Sequence, residues 1–130
     1  MIANSANSMR VLIVDDYPGI VELYDLALAA RGFEVVGAST VGEAMTLGAT
    51  ERFDAVVLDV ELPDGSGPEL ARRLRQMPAL EGAVFVGMSS YVRGELGEHF
   101  DAFLPKPLHP KQLAATLRRL LNKSPARAEA

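Results

Sequence analysis

The chain has 130 residues, 48% of them hydrophobic, with a net charge of −4 and no cysteine. That is the length and composition of one globular domain, and it excludes disulfides and thiolate metal sites. The absence of a basic cluster argues against direct nucleic-acid binding, and no apolar run approaches the roughly 20 residues of a membrane span.

Residues 1–9 are small and largely polar and read as a flexible arm, without the basic stretch and apolar core of a secretory signal. Cysteine usage is compatible with a cytoplasmic protein. Residues 10–122 read as the folded domain. Arg10 to Val14 is a predicted first strand, ending in Asp15-Asp16. Pro18 then fits the first position of a helix with Tyr17 or Asp16 near its cap. Ile20, Leu23, Ala27 and Ala30 recur at helical spacing, and Gly32 suits the stop. Phe33 to Ala38 is a second strand. Thr40 with Glu43 forms a capping-box signature for a helix to about Thr50. Ala55 to Asp59 is a third strand, and the apolar run into one carboxylate reads as buried on both faces. Val60 to Gly67 is dense in turn residues. Pro68 opens a third helix that carries Leu70 and Leu74 inward and Arg72, Arg73 and Arg75 outward. Ala83 to Met88 is a fourth strand, followed by Ser89-Ser90. Tyr91 to Phe100 is a weak helix, because Gly94 and Gly97 lower its propensity. Ala102 to Leu104 is a brief fifth strand. Pro110 opens a last helix with Leu113, Leu117, Leu120 and Leu121 on one stripe, and residues 123–130 read as a tail or the start of a linker.

Strand and helix alternate, which predicts an α/β domain with a parallel sheet covered on both faces. The doubly wound order 2-1-3-4-5 makes the first and third strands neighbours and brings Asp15, Asp16 and Asp59 together at the carboxyl edge, where such sheets bind ligands. Each carboxylate alone also has a plain reading as a turn or cap residue. Three of them at one edge repel unless a cation joins them, and oxygen donors without His or Cys favour Mg²⁺. Ser89 ends the neighbouring strand, as a donor to an anion or simply as a turn serine. Lys106 stands between two prolines at the same edge, where a fixed charge is expected rather than a solvated one. With Mg²⁺, Ser89 and Lys106 to neutralise a phosphoryl group, Asp59 becomes the nucleophile that receives it. His109 reads as a helix cap and His99 as a surface residue.

In order along the chain stand Val-Asp15-Asp16, Leu-Asp59-Val-Glu-Leu-Pro-Asp-Gly-Ser-Gly, Met-Ser89-Ser and Phe103-Leu-Pro-Lys106-Pro107. In these motifs the chain resembles the response-regulator receiver domains of two-component signalling, over roughly Arg10 to Leu121. The resemblance implies a flavodoxin-like receiver fold. It implies that Asp16, Asp59 and the backbone carbonyl of Glu61 bind Mg²⁺ directly, with Asp15 helping through water. Asp59 is then phosphorylated by a histidine kinase or histidine phosphotransfer protein, Ser89 and Lys106 contact the phosphoryl oxygens, and Ser89 and Phe103 form the switch. A Lys106-Pro107 cis peptide is a further expectation. So are an output protein or fused effector and a phosphorylation-dependent dimer. Such a domain promotes its own phosphorylation and dephosphorylation without being a multiple-turnover enzyme. The chain departs from the family where His99-Phe100 replaces a frequent Gly-Ala, and Phe103 lacks the hydroxyl of a tyrosine. Two other readings stay open: a receiver-like interaction module that does not cycle phosphate, and a phosphohydrolase, for which Glu61 has the right spacing but no cap-sized insertion exists.

Overall fold

A computed structural model describes residues 8–89 and 99–123. Its elements are β1 (Met9–Val14), α1 (Pro18–Ala29), β2 (Phe33–Ala38), α2 (Val41–Thr50), β3 (Ala55–Asp59), β4 (Glu61–Leu62), β5 (Gly65–Ser66), α3 (Gly67–Leu74), a 3₁₀ turn (Pro78–Leu80), β6 (Val84–Ser89), β7 (Ala102–Pro105) and α4 (Pro110–Lys123). The main sheet has the order β2-β1-β3-β6-β7, with every pair parallel. Because β4 and β5 form only a two-residue antiparallel hairpin of their own, this is the doubly wound 2-1-3-4-5 order that the sequence predicts. Of the expected arm 1–9 and tail 123–130, Met9 already belongs to β1 and Lys123 still to α4, while residues 1–7, Ser90, most of the predicted helix Tyr91 to Phe100 with its Gly94 and Gly97, and residues 124–130 lie outside the described residues.

Alternation along the strands divides the core into two layers. Val11, Ile13, Ala55, Val57, Val84, Val86 and Met88 meet Tyr24 and Leu28 of α1 and Leu113, Leu117 and Leu121 of α4. On the other side Leu12, Val14, Val56, Leu58 and Phe85 meet Ala44 of α2 and Leu70, Ala71 and Leu74 of α3. Each fully buried Leu, Val or Phe contributes about 1.5–3 kcal/mol, so the three central strands anchor the sheet. All five residues of β3 are buried, as expected for a strand covered on both faces.

Local details differ from the expected pattern in four places. The core face of α1 is Tyr24 and Leu28, flanked by Ile20 and Val21, rather than Ile20, Leu23, Ala27 and Ala30. Leu23 is 47% exposed and Ala30 is exposed, because this helix is apolar on more than one side and periodicity alone does not choose the inward one. Thr40 does accept the Glu43 N–H at 3.1 Å, but Glu43 reaches past Thr40 to the backbone and hydroxyl of Ser39. Pro68 occupies the second helical position, since Ser66 is the cap and accepts the Glu69 N–H at 3.2 Å. Arg75, expected on a solvated face, is drawn onto the domain by its interactions described below. Gly32 has φ +91, a left-handed stop two residues beyond the Ala30 cap, where only glycine is at ease.

Candidate functional site at the carboxyl edge of the sheet

Val14 and Leu58 are register partners, so the residues that follow them, Asp15 and Asp59, leave the sheet side by side. Each carboxylate is used twice. Asp15 Oδ1 accepts the Tyr17 N–H at 3.0 Å, which turns the chain toward α1, and Asp59 Oδ1 accepts the Glu61 N–H at 3.0 Å, which shapes the loop beyond β3. The remaining oxygens face one ammonium. Lys106 Nζ donates to Asp59 Oδ2 at 2.8 Å and to Asp15 Oδ2 at 3.2 Å. Asp15 and Asp59 are buried, and Asp16 beside them is exposed. Carboxylate oxygens of Asp15, Asp16 and Asp59 all lie within 4.8 Å of one another.

Burial raises the pKa of Asp15, outweighing the Tyr17 N–H and the Lys106 charge that favour its ionised form, and the charge of Asp59 adds to the rise. Burial acts against the Lys106 ammonium as well, but its hydrogen bond to Asp59 and the charges of both carboxylates prevail and hold its pKa up. The cluster therefore has more carboxylate than one lysine neutralises. The donor set suits a small hard cation: three oxygens from three acids, with Asp16 open to water and so to a partly hydrated ion. Asp15 and Asp59 would hold it on the protein side and Asp16 on the solvent side.

Lys106 is placed by the end of β7. Its N–H donates to the Ser89 carbonyl at 2.6 Å, and the Lys106-Pro107 peptide is cis, as the resemblance implies. Leu108 is buried immediately after, and His109 caps α4, its Nδ1 accepting the Lys111 N–H at 3.1 Å. Ser89 is buried as the last residue of β6, opposite Pro105. The structure thus gathers Asp15, Asp16, Asp59 and Lys106 in one cluster and ties Ser89 to Lys106 through the backbone. Glu61, an exposed residue, joins through its N–H. Phe103, half-buried on β7, belongs to an aromatic pair with Phe100, whose ring it meets edge to face at 5.5 Å and 75°.

The family model described as the response regulator receiver domain matches residues 11–118. The chain belongs to the response-regulator receiver family. The cell cycle response regulators CtrA of Brucella ovis and Brucella canis are each 33% identical to it over 125 residues, covering 93% of this chain and 53% of theirs. The receiver thus spans about half the length of the curated relatives it matches. Among solved structures, the CheY-like receiver domain of Methylobacillus flagellatus is 31% identical with a TM-score of 0.81, covering 88% of this chain and 99% of that one. The response regulator TrrA of Thermotoga maritima, solved in complex with Mg²⁺-BeF, is 28% identical with a TM-score of 0.77, covering 86% of this chain and 98% of its own. Among the described residues of the receiver, no helix is long and apolar enough to cross a membrane.

Three residues that support the receiver site escaped the sequence reading. Asp64, read as part of a turn, accepts the Val41 N–H at 2.7 Å and the Gly42 N–H at 3.2 Å, so the hairpin of β4 and β5 is fastened to the first turn of α2. These two bonds depress the Asp64 pKa, the one from Val41 most. Gly67 allows α3 to start against the loop beyond β3: a Cβ there would lie 2.5 Å from the Asp59 carbonyl oxygen and 2.7 Å from the Val60 Cα. Arg75 donates to the His99 carbonyl at 2.9 Å and to Asp101 at 3.1 Å, with its guanidinium 4.4 Å from the centre of the Phe85 ring. The Asp-Gly-Ser-Gly spacing hinted at the tight turn before Gly67; nothing in the sequence pairs Asp64 with α2 or Arg75 with Asp101.

Proposed function

We propose that this receiver is a phosphoacceptor switch in which Asp59 takes a phosphoryl group from a histidine kinase or a histidine phosphotransfer protein in the cytoplasm. The observation that carries this reading is the cluster itself: three carboxylates within 4.8 Å and one lysine bridging Asp59 and Asp15. Asp59 Oδ2 is the attacking atom. It forms the new O–P bond as the P–N bond of the donor breaks and the imidazole departs with the electron pair. Lys106, already 2.8 Å from that oxygen, shifts to a phosphoryl oxygen as charge moves there. Ser89 donates its hydroxyl to another phosphoryl oxygen. Asp15, Asp16, Asp59 and the carbonyl of Glu61 would hold Mg²⁺, which supplies charge neutralisation between the carboxylates and the phosphoryl group. The Asp59 Oδ1 bond to Glu61 N–H fixes the carboxylate plane, so that one oxygen stays with the loop and the other faces the donor.

The phosphorylated state is read by an output partner or effector domain through Ser89 and Phe103, and a phosphorylation-dependent dimer is one form that output takes. Incubation with acetyl phosphate and Mg²⁺, followed by intact-mass measurement, tests the reading. The wild type should gain one phosphoryl group and Asp59→Asn none. Full labelling of Asp59→Asn would assign another acceptor, no labelling of the wild type would leave an interaction module, and sustained turnover of small phosphate esters would favour a phosphohydrolase.

A further inference from the structure

Phe100 stands where the resemblance leads one to expect a small residue, and β6 shows how it is accommodated. A Cβ built on Gly87 would lie 3.1–3.2 Å from three atoms of the Phe100 ring, so the ring rests on bare backbone. Gly87 is also the register partner of Phe103. Ala102 and Leu104 pack into the layer of α1 and α4, so alternation turns Phe103 to the opposite side, where Phe100 packs. The same alternation along β6 puts Ser89 on the side of Phe85 and Gly87. Two aromatic rings in edge-to-face contact therefore share the short strip of β6 between Phe85 and Ser89.

The backbone on both sides of Phe100 is tied down. The Asp101 N–H donates to the Phe85 carbonyl at 2.7 Å, and Asp101 Oδ2 accepts the Phe85 N–H at 2.7 Å. Arg75, at the end of α3, holds the His99 carbonyl and the Asp101 carboxylate while it lies over the Phe85 ring. The backbone that carries Phe100 cannot shift away from β6 without opening this clasp.

We propose that Phe100, held by the Arg75–Asp101 clasp, is a positioning residue that confines the Phe103 ring and makes its movement depend on Ser89. The inference rests on the phosphoacceptor reading, because Ser89 moves only when a phosphoryl group on Asp59 draws it. Among the described residues, with the space over Gly87 filled, the room left for Phe103 to move inward is on the Ser89 side. Without Phe100, the bare backbone of Gly87 offers a ring-sized opening that Phe103 enters unprompted. That position lies over Gly87 and not on the Ser89 side, so Phe103 no longer waits for Ser89 to vacate space and its response to a ligand is uncoupled from Ser89.

The experiment titrates beryllofluoride, with Mg²⁺, into the full chain and follows the ring signals of Phe103 by NMR. In the wild type those signals should move on binding. In Phe100→Ala they should already differ from the wild type before any ligand is added and should move little when beryllofluoride binds. Phe100→Leu should fall between the two. Arg75→Gln keeps both rings and releases the clasp, so it should shift both readings in the same direction by less, and it decides the matter if Phe100→Ala does not fold. A wild-type resting position and a wild-type Phe103 response in the folded variants would overturn the inference and leave Phe100 as core packing. That outcome leaves the phosphoacceptor reading standing, whereas a wild type that takes up no beryllofluoride defeats both.

Discussion

Asp15 carries the electrostatic burden of the site. Its pKa is raised chiefly by burial, so the folded chain holds that proton more tightly than the unfolded chain does. The associated stability is complete below the ordinary value of 3.8 and is lost as pH rises through the raised value in the fold. At neutral pH the ionised carboxylate therefore works against folding. Asp15→Asn keeps an oxygen for the Tyr17 N–H and leaves Lys106 its bond to Asp59. In metal-free buffer near neutral pH this variant should melt a few degrees above the wild type, the shift that ~1 kcal/mol produces in a domain of this length. The difference should shrink as the pH is lowered, and a variant that melts below the wild type at neutral pH would contradict the assignment. Lys106→Ala runs the other way. It leaves two buried carboxylates without their counter-charge, so metal-free stability should fall by about 1–3 kcal/mol, a loss moderated because the ammonium is partly exposed. Mg²⁺ affinity should hold or rise, because no ammonium competes for the carboxylates, while phosphorylation no longer drives the conformational change. Calorimetric titration with Mg²⁺ and chemical denaturation measure the two effects separately.

At the scale of elements, the loop beyond β3 is held from several sides. Asp59 grips the Glu61 N–H, Asp64 grips the first turn of α2, and Gly67 lets α3 begin against the Asp59 and Val60 backbone. Gly67→Ala puts a methyl group into rigid backbone rather than into a side chain that can swing away. It should cost about 1–3 kcal/mol and lower Mg²⁺ affinity by displacing the Glu61 carbonyl. Gly42→Ala is the control, since a Cβ there meets nothing nearer than 3.8 Å, and an exposed helical Gly→Ala is neutral or stabilising by up to ~1 kcal/mol. Equal melting and equal Mg²⁺ binding for the two variants would show that the close approach at Gly67 does not matter. The elements themselves were largely legible in the sequence, because alternation, buried β-branched runs and cap residues are local signals. Thr40 and His109 both cap helices as expected. What escaped was of two kinds. The inward face of α1 was misread because Leu23 and Leu26 are apolar yet exposed. The tethers from Asp64 to α2 and from Arg75 to Asp101 span 22 to 26 residues, a separation at which neither periodicity nor turn chemistry carries information.

For the whole molecule, the order of strands is what converts four scattered motifs into one site. Asp15, Asp59 and Lys106 are separated by 44 residues or more along the chain, and only the 2-1-3 switch point and the return of β7 beside β6 bring them within hydrogen-bond reach. The carboxylate cluster was readable for that reason: a single topological choice fixed it. The position of the Lys106 ammonium between two specific oxygens was not, because it depends on side-chain rotamers and on the Lys106 N–H bond to Ser89. This construction links cation binding to global stability. A cation that binds the assembled carboxylates has no equivalent site in the unfolded chain, so it stabilises by RT ln(1 + [L]/Kd), about 2.7 kcal/mol at a hundredfold excess over Kd. Mg²⁺ should therefore raise the melting temperature of the wild type in a saturating, concentration-dependent way. General screening of a chain with net charge −4 would act differently, since KCl at matched ionic strength would reproduce it and it would survive the loss of one carboxylate. Asp16→Ala is the sharper test, because Asp16 is exposed and its removal leaves the core untouched. The Mg²⁺-dependent shift should shrink strongly in Asp16→Ala and in Asp59→Asn while the KCl response stays as in the wild type. A shift of wild-type size in both variants would put the cation elsewhere on the chain and separate the carboxylate cluster from metal binding.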